Sequence, residues 1–199
     1  MELWSHFFGL EACMRAASRL VTAGVAMLVC GVGAAGAQGA KTNTEVGTSV
    51  GVTILSVSGG GGSVTHVGIP GDGIQASPTV YATIFASPSF MVEPQVAFSL
   101  LSSGGQTLTS VGLALQFGYL VTPSQPGSVY VAANGAFQSV SLSGGGGSVS
   151  GPGLGGALGY RFKVRNNLAI RLDGRYRRWF SDFKDLNEIG FGLGLGATF

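Results

Sequence analysis

The chain has 199 residues, 35 of them glycine, with 10% charged residues, a net charge of +2 and a mean hydropathy of +0.40. After residue 37 no apolar run approaches the roughly 20 residues that a spanning helix needs, which argues against helical spans in that part of the chain. A chain this apolar without such helices must place its apolar atoms on one face of period-two strands.

Residues 1–37 carry the three parts of an export signal: Arg15 and Arg19, an apolar stretch from Leu20 to Gly33, then Ala35-Gly36-Ala37 before Gln38. Cleavage after Ala37 would leave residues 38–199 as one barrel domain. Met14 opens a signal of ordinary length, so residues 1–13 read as a mis-assigned upstream start. The Gly and Ala content and the small-residue ending favour a cleaved signal over a membrane anchor, and Val29 before Cys30 disfavours a lipoprotein site. Both cysteines, Cys13 and Cys30, fall in the removed segment. The exported chain would then have no thiol for a disulfide, a thiolate metal site or cysteine catalysis.

Eight strands of alternating character follow, each long enough for the roughly 9 to 11 residues of a tilted spanning strand. They run from Glu45 to Val57, Ser77 to Ala86, Phe90 to Leu101, Leu108 to Val121, Ser128 to Leu142, Gly151 to Val164, Leu168 to Ser181, and Asn187 to Phe199. Ser63 to Ile69 reads either as a further strand or as an outward extension of its neighbours. Ala86 to Ser89, Thr122 to Gly127 and Arg165 to Asn167 read as tight turns, with Pro or Asn supplying the geometry. Ser58 to Ala76, Ser102 to Thr107, Ser143 to Ser150 and Asp182 to Leu186 read as looser and mostly longer loops. The two kinds alternate, as an up-and-down barrel requires, with the tight turns periplasmic. The four-glycine runs Gly59 to Gly62 and Gly144 to Gly147 lack a following Lys or phosphate-loop spacing and read as hairpin tips.

The seventh strand decides which face meets lipid. Leu168, Ile170, Leu172, Gly174, Tyr176, Arg178 and Phe180 share one face; Ala169, Arg171, Asp173, Arg175, Arg177 and Trp179 share the other. An Arg on lipid costs roughly 2 to 4 kcal/mol near the midplane, so a one-residue slip of this strand would cost on the order of 10 kcal/mol. The arginine face therefore points inward. Gly153, Gly155, Ala157, Gly159 and Gly190 to Gly196 on the flanking strands leave room for it, and an eight-stranded interior is just wide enough for its own side chains.

By the same parity Glu93, Gln95, Gln116, Asn134, Gln138, Arg161, Lys163 and Glu188 face inward. Buried charges need partners, so Glu93, Asp173 and Glu188 are expected to pair with Arg171, Arg175 and Arg177 in a filled polar lumen that also holds Arg161. Phe90, Tyr119, Tyr160, Phe162, Phe199, Tyr176 and Phe180 fall at the two membrane interfaces. Arg178 is the charged exception on the lipid face; with Lys184 it could grip lipopolysaccharide or stand as a solvated rim charge.

Signals for chemistry are weak. The exported chain has one histidine, His66, with no carboxylate nearer than Asp72 to orient it, and seven scattered Asp or Glu residues without metal-ligand spacing. No cofactor is implied. Eight of its nine cations lie between Arg161 and Lys184, and strand parity divides Arg175-Tyr176-Arg177-Arg178-Trp179 between two faces, which argues against nucleic acid.

From Ile189 to Phe199 the apolar residues Ile189, Phe191, Leu193, Leu195, Ala197 and Phe199 alternate with glycine and Thr198. This closing strand with its terminal aromatic, together with the signal and the alternating strands, resembles the small bacterial outer-membrane β-barrel proteins typified by outer membrane proteins A and X. The resemblance implies an all-β, eight-stranded antiparallel up-and-down transmembrane barrel. It also implies a Gram-negative outer-membrane location, lipid and lipopolysaccharide as surroundings, and an assembly machinery that reads Phe199. The leading expectation is a monomeric, non-enzymatic envelope or surface protein. A narrow channel gated by the inward charges and a lipid-modifying enzyme centred on His66 are the alternatives.

Overall fold

The computed structural model describes residues 44–57, 63–68, 79–103, 106–143, 147–165 and 167–199. The proposed export signal and the first glycine run lie outside these residues. Nine strands are described: β1 Thr44–Val57, β2 Ser63–Gly68, β3 Thr79–Phe85, β4 Phe90–Ser103, β5 Gln106–Leu120, β6 Gly127–Leu142, β7 Ser148–Arg165, β8 Leu168–Trp179 and β9 Leu186–Thr198. Every described pairing is antiparallel, and β9 returns to β1 from Glu45 opposite Thr198 to Val57 opposite Leu186. That last ladder closes the sheet into a cylinder.

The ninth strand does not add a ninth stave. β3 lies opposite Thr44–Ser49 and β2 opposite Gly51–Ser56, both on the same side of β1, so the two short strands share one stave. The result is a closed eight-stave, up-and-down barrel. Ser63 to Ile69, left open between two readings, supplies β2.

Alternation builds the wall, and it is inverted relative to a soluble protein. Along β5, Ser110, Gly112, Gln116, Gly118 and Leu120 are buried, whereas Leu113, Leu115, Phe117 and Tyr119 are exposed. Across the barrel the exposed set includes Phe98, Leu154, Leu158, Leu172, Phe191 and Leu195, and the buried set includes Thr53, Thr83, Glu93, Gln138, Arg171 and Glu188. Among the described side chains the outer wall is thus mostly apolar and the interior mostly polar or glycine, with Tyr81, Met91, Leu120, Tyr130 and Trp179 among the apolar exceptions inside.

The connections correct the expected division into short turns and longer loops. Ser102 to Thr107, expected as a loop, is mostly ladder, because Ser102 pairs with Thr107 and Ser103 with Gln106. Likewise Ser148 pairs with Ser141 before β7 enters the wall. Gly and Ser composition suggested loops here, but each added rung satisfies backbone groups that would otherwise need water. At the opposite rim, Ser87 Oγ accepts from Phe90 N at 3.0 Å and Ser128 Oγ from Thr122 N at 3.0 Å, fixing two of the tight turns. Lys163, expected inward, is exposed beside the third, where the β7–β8 register shifts between Lys163 and Arg165.

Candidate functional site

Inward parity places four carboxylates and four guanidiniums in the lumen, and the stagger of the staves sorts them into three tiers. Nearest the rim where β1 begins and β9 ends, Arg161 on β7 donates from Nε and Nη2 to Glu45 Oε2 on β1, at 2.8 and 2.5 Å. Tyr81 on β3 donates to the other oxygen of Glu45 at 3.2 Å, and the Arg161 guanidinium lies 5.0 Å from the centre of the Phe85 ring.

In the middle tier Arg171 on β8 donates to Glu93 on β4. Thr83 Oγ1 donates to Glu93 Oε2 at 2.5 Å and Gln95 Nε2 to Oε1 at 2.8 Å, so both carboxylate oxygens are engaged. Asp173 Oδ2 stands 3.3 Å from Arg171 Nε and accepts from Tyr130 OH at 3.3 Å. The Arg171 guanidinium lies 4.3 Å from the Tyr81 ring centre and 5.8 Å from that of Tyr130, a cation–π cradle inside the lumen.

The third tier centres on Glu188 of β9. Its Oε1 accepts from Arg175 Nε at 2.9 Å, and its Oε2 accepts from Trp179 Nε1 at 2.9 Å and Arg177 Nη1 at 3.4 Å. Arg177 Nε also donates to Asn134 Oδ1 on β6 at 3.1 Å. A small cavity opens beside this tier among Gln95, Gly112, Gln138, Arg177 and Trp179.

Glycine makes these arrangements possible by what it omits. A Cβ at Gly190 would sit 2.8 Å from Arg175 Nε, one at Gly192 3.0 Å from Asp173 Oδ1, and one at Gly196 2.5 Å from Glu45 Oε1. The glycine face of β9 is therefore the steric complement of the charged side chains it confronts. Two apolar clusters bracket the tiers: Met91, Leu120 and Tyr130 toward the rim where β1 begins and β9 ends, and Val140, Trp179 and Phe183 toward the other.

The structure brings Glu93, Arg161, Arg171, Asp173, Arg175, Arg177 and Glu188 into the lumen, each against a partner of opposite charge. Sequence reasoning missed Glu45, the only carboxylate on Arg161 among the described ion pairs. The signal was present: Glu45 shares its face with Gly47, Ser49 and the inward Thr53, and the arginine count exceeded the inward carboxylates by one without it. It also missed Tyr81 and Tyr130, both fully buried. Phe199 is 77% exposed, and its backbone N–H donates to Thr44 O at 2.8 Å, the one hydrogen bond it makes among the described residues.

Arg178 is exposed on the outer wall between Leu154 and Asn187, and Lys184 is exposed in the β8–β9 connection. His66, expected in a loop, has its backbone in β2 opposite Thr53. Among the described residues no group of three His, Cys, Asp or Glu side chains could hold a metal ion.

No protein-family model and no curated protein matches the chain. Solved structures do. Neisserial surface protein A covers 78% of this chain over 97% of its own, with a TM-score of 0.56 and 17% identity. Ail, the attachment invasion locus protein of Yersinia pestis, covers 79% over 99% of its own, at 0.51 and 13%. The outer membrane protein OprG of Pseudomonas aeruginosa covers 81% over 98%, at 0.50 and 10%. At such identities the likeness is one of fold, and the fold is that of the small outer-membrane barrels.

Proposed function

We propose that this chain is an integral outer-membrane protein with a closed, charge-filled lumen and a non-enzymatic role in the structure or surface of the envelope. The observation that carries the reading is the inversion of the barrel: an apolar outer wall around four carboxylates and four arginines that neutralise one another inside. Hydrocarbon around such a wall completes the burial that water would oppose. The lumen charges hold staves together rather than line a path, because each is engaged by a partner across or beside it. The names of two relatives, a surface protein and an attachment invasion protein, accord with a surface role.

The rest of the proposal follows from position. Residues 1–37 are the export signal, removed after Ala37. Phe199, held by its backbone and free at its ring, is the mark read by the barrel assembly machinery. Arg178 and Lys184 meet the phosphate level of the outer leaflet, where lipopolysaccharide offers a partner to a guanidinium that hydrocarbon would penalise. The protein acts as a monomer without a cofactor.

Membrane fractionation with heat-modifiable gel mobility tests the reading. The protein should co-sediment with the outer membrane, begin at Gln38, and migrate faster unheated than boiled. Recovery in the soluble periplasm would end the proposal.

A further inference from the structure

At the end of the lumen opposite the rim where β1 begins and β9 ends, a side chain from a connection, not from a strand, packs into the interior. Between β8 and β9, Ser181–Phe183 forms one 3-10 turn, and Phe183 turns inward to lie nearly buried at 7% exposure. Its ring meets Trp179 edge to face, 5.9 Å between centroids, with Val140 in the same cluster and Leu55, Leu108 and Leu186 packed around it. Directly beneath, Trp179 Nε1 donates to Glu188. The indole thus separates the aromatic roof from the third charge tier.

The seat for these two rings is prepared on β7. A Cβ at Gly153 would stand 2.9 Å from the Trp179 ring, and one at Gly151 would stand 3.1 Å from the Phe183 ring. The turn that delivers Phe183 is strained at both ends, since Ser181 and Asp185 hold φ of 60° and 76°, a region that side chains other than glycine disfavour. Asp182 tethers it to the wall by a hydrogen bond, its Oδ2 accepting from the backbone N–H of Ser150 at 2.8 Å. Strain of this kind persists only where surrounding contacts over-determine the conformation. The buried ring and the Asp182 tether are those contacts.

We propose that the β8–β9 turn is a movable stopper: Phe183 seals this end of the lumen on Trp179, the Asp182–Ser150 hydrogen bond latches it, and the strained flanks at Ser181 and Asp185 favour release once the latch opens. In the closed state water from this rim does not reach Trp179 or the Glu188 tier. When the turn swings out, the indole becomes wet while the barrel stays closed. The inference needs only the barrel geometry and does not depend on which rim faces the cell exterior.

Trp179 reports on this directly. The chain has two tryptophans, Trp4 and Trp179, so the full chain carrying Trp4→Phe has one emitter. In detergent micelles, with both rims wet and folding verified by heat-modifiable mobility, acrylamide should quench Trp179 weakly. Asp182→Ala, which removes the latch but keeps the aromatic ring, should raise the quenching constant severalfold; Phe183→Ala should raise it at least as much. Ser181→Gly with Asp185→Gly, which relaxes the flanks, should lower the constant of the Asp182→Ala background. Unchanged quenching in folded Asp182→Ala overturns the latch and with it the proposal, and Asp182 lies at an exposed position where the substitution spares the wall. Strong quenching in the Trp4→Phe parent, equal to that of Phe183→Ala, overturns the seal.

Discussion

Glu93 and Arg171 form an ion pair through the middle of the barrel, from β4 to β8, two staves that no ladder joins. Strand number and stagger set the mean diameter of a closed wall, but a direct bond between opposite staves is a constraint that no ladder provides. Pairs such as this one, and Glu45 with Arg161 over a separation of 116 residues, supply that constraint.

Glu93→Gln keeps the shape of the side chain and strands most of the Arg171 charge, with Asp173 at 3.3 Å as its remaining partner. Breaking a buried pair from one side costs about 3–5 kcal/mol, and Asp173 places the expected loss at the lower end, about 3 kcal/mol. Replacing both partners by Glu93→Leu and Arg171→Met should cost less than the single change. Urea unfolding in phospholipid vesicles, followed by gel mobility, checks the ranking; a single variant as stable as the parent contradicts it.

The two faces of the wall should respond to glycine substitution in opposite ways. Gly196→Ala drives a methyl to 2.5 Å from Glu45 Oε1 and should cost about 1–3 kcal/mol as overpacking. Gly174→Ala points outward, meets the Phe191 ring at an ordinary 3.6 Å and should change stability by less than about 0.5 kcal/mol. Equal effects of the two would mean that the glycine face of β9 makes no room for the lumen charges.

Leu172 is 56% exposed on the outer wall near the middle of β8. Leu172→Arg should therefore cost about 2–4 kcal/mol in a bilayer, read from the same vesicle unfolding. In detergent, where the guanidinium reaches water, the penalty should shrink; a penalty of the same size in both media would point to a packing effect instead.

A charge-filled lumen should carry no steady current. Purified protein in planar bilayers is expected to be silent. Regular single-channel steps that vanish in Arg175→Ala would favour the gated-channel alternative over the closed lumen.

Phe199→Ala separates assembly from stability. Because the residue is largely exposed and its bond to Thr44 is made by the backbone, refolding from urea into vesicles should be unaffected. The amount reaching the outer membrane in cells should fall several-fold if the ring is the assembly mark. Equal loss in both assays would assign Phe199 a structural part instead.

The strand pattern was open to reading in the sequence wherever one face was strongly marked, as in β8 and β9, because a one-residue slip would reverse every side chain. Readability failed where composition and pairing disagreed. Ser102 to Thr107 has the residues of a loop, yet its backbone continues the ladder. Lys163 has inward parity, yet it stands at a rim where the register shifts and parity no longer implies burial. The aromatic ring of Phe183 lies beyond the last residue of β8, where no period applies.

Alternation along the chain determined by itself which side chains face in and which face out, since successive residues of a strand point to opposite sides. It could not determine which inward residues meet. Height in the lumen depends on the tilt and stagger that close the cylinder, so the choice of Glu45 for Arg161, of Glu93 for Arg171, and of one Glu188 for two arginines was made only when β9 paired with β1. The same closure brought the β8–β9 turn to the rim and gave Phe183 and Trp179 seats that Gly151 and Gly153 of a neighbouring strand had left empty.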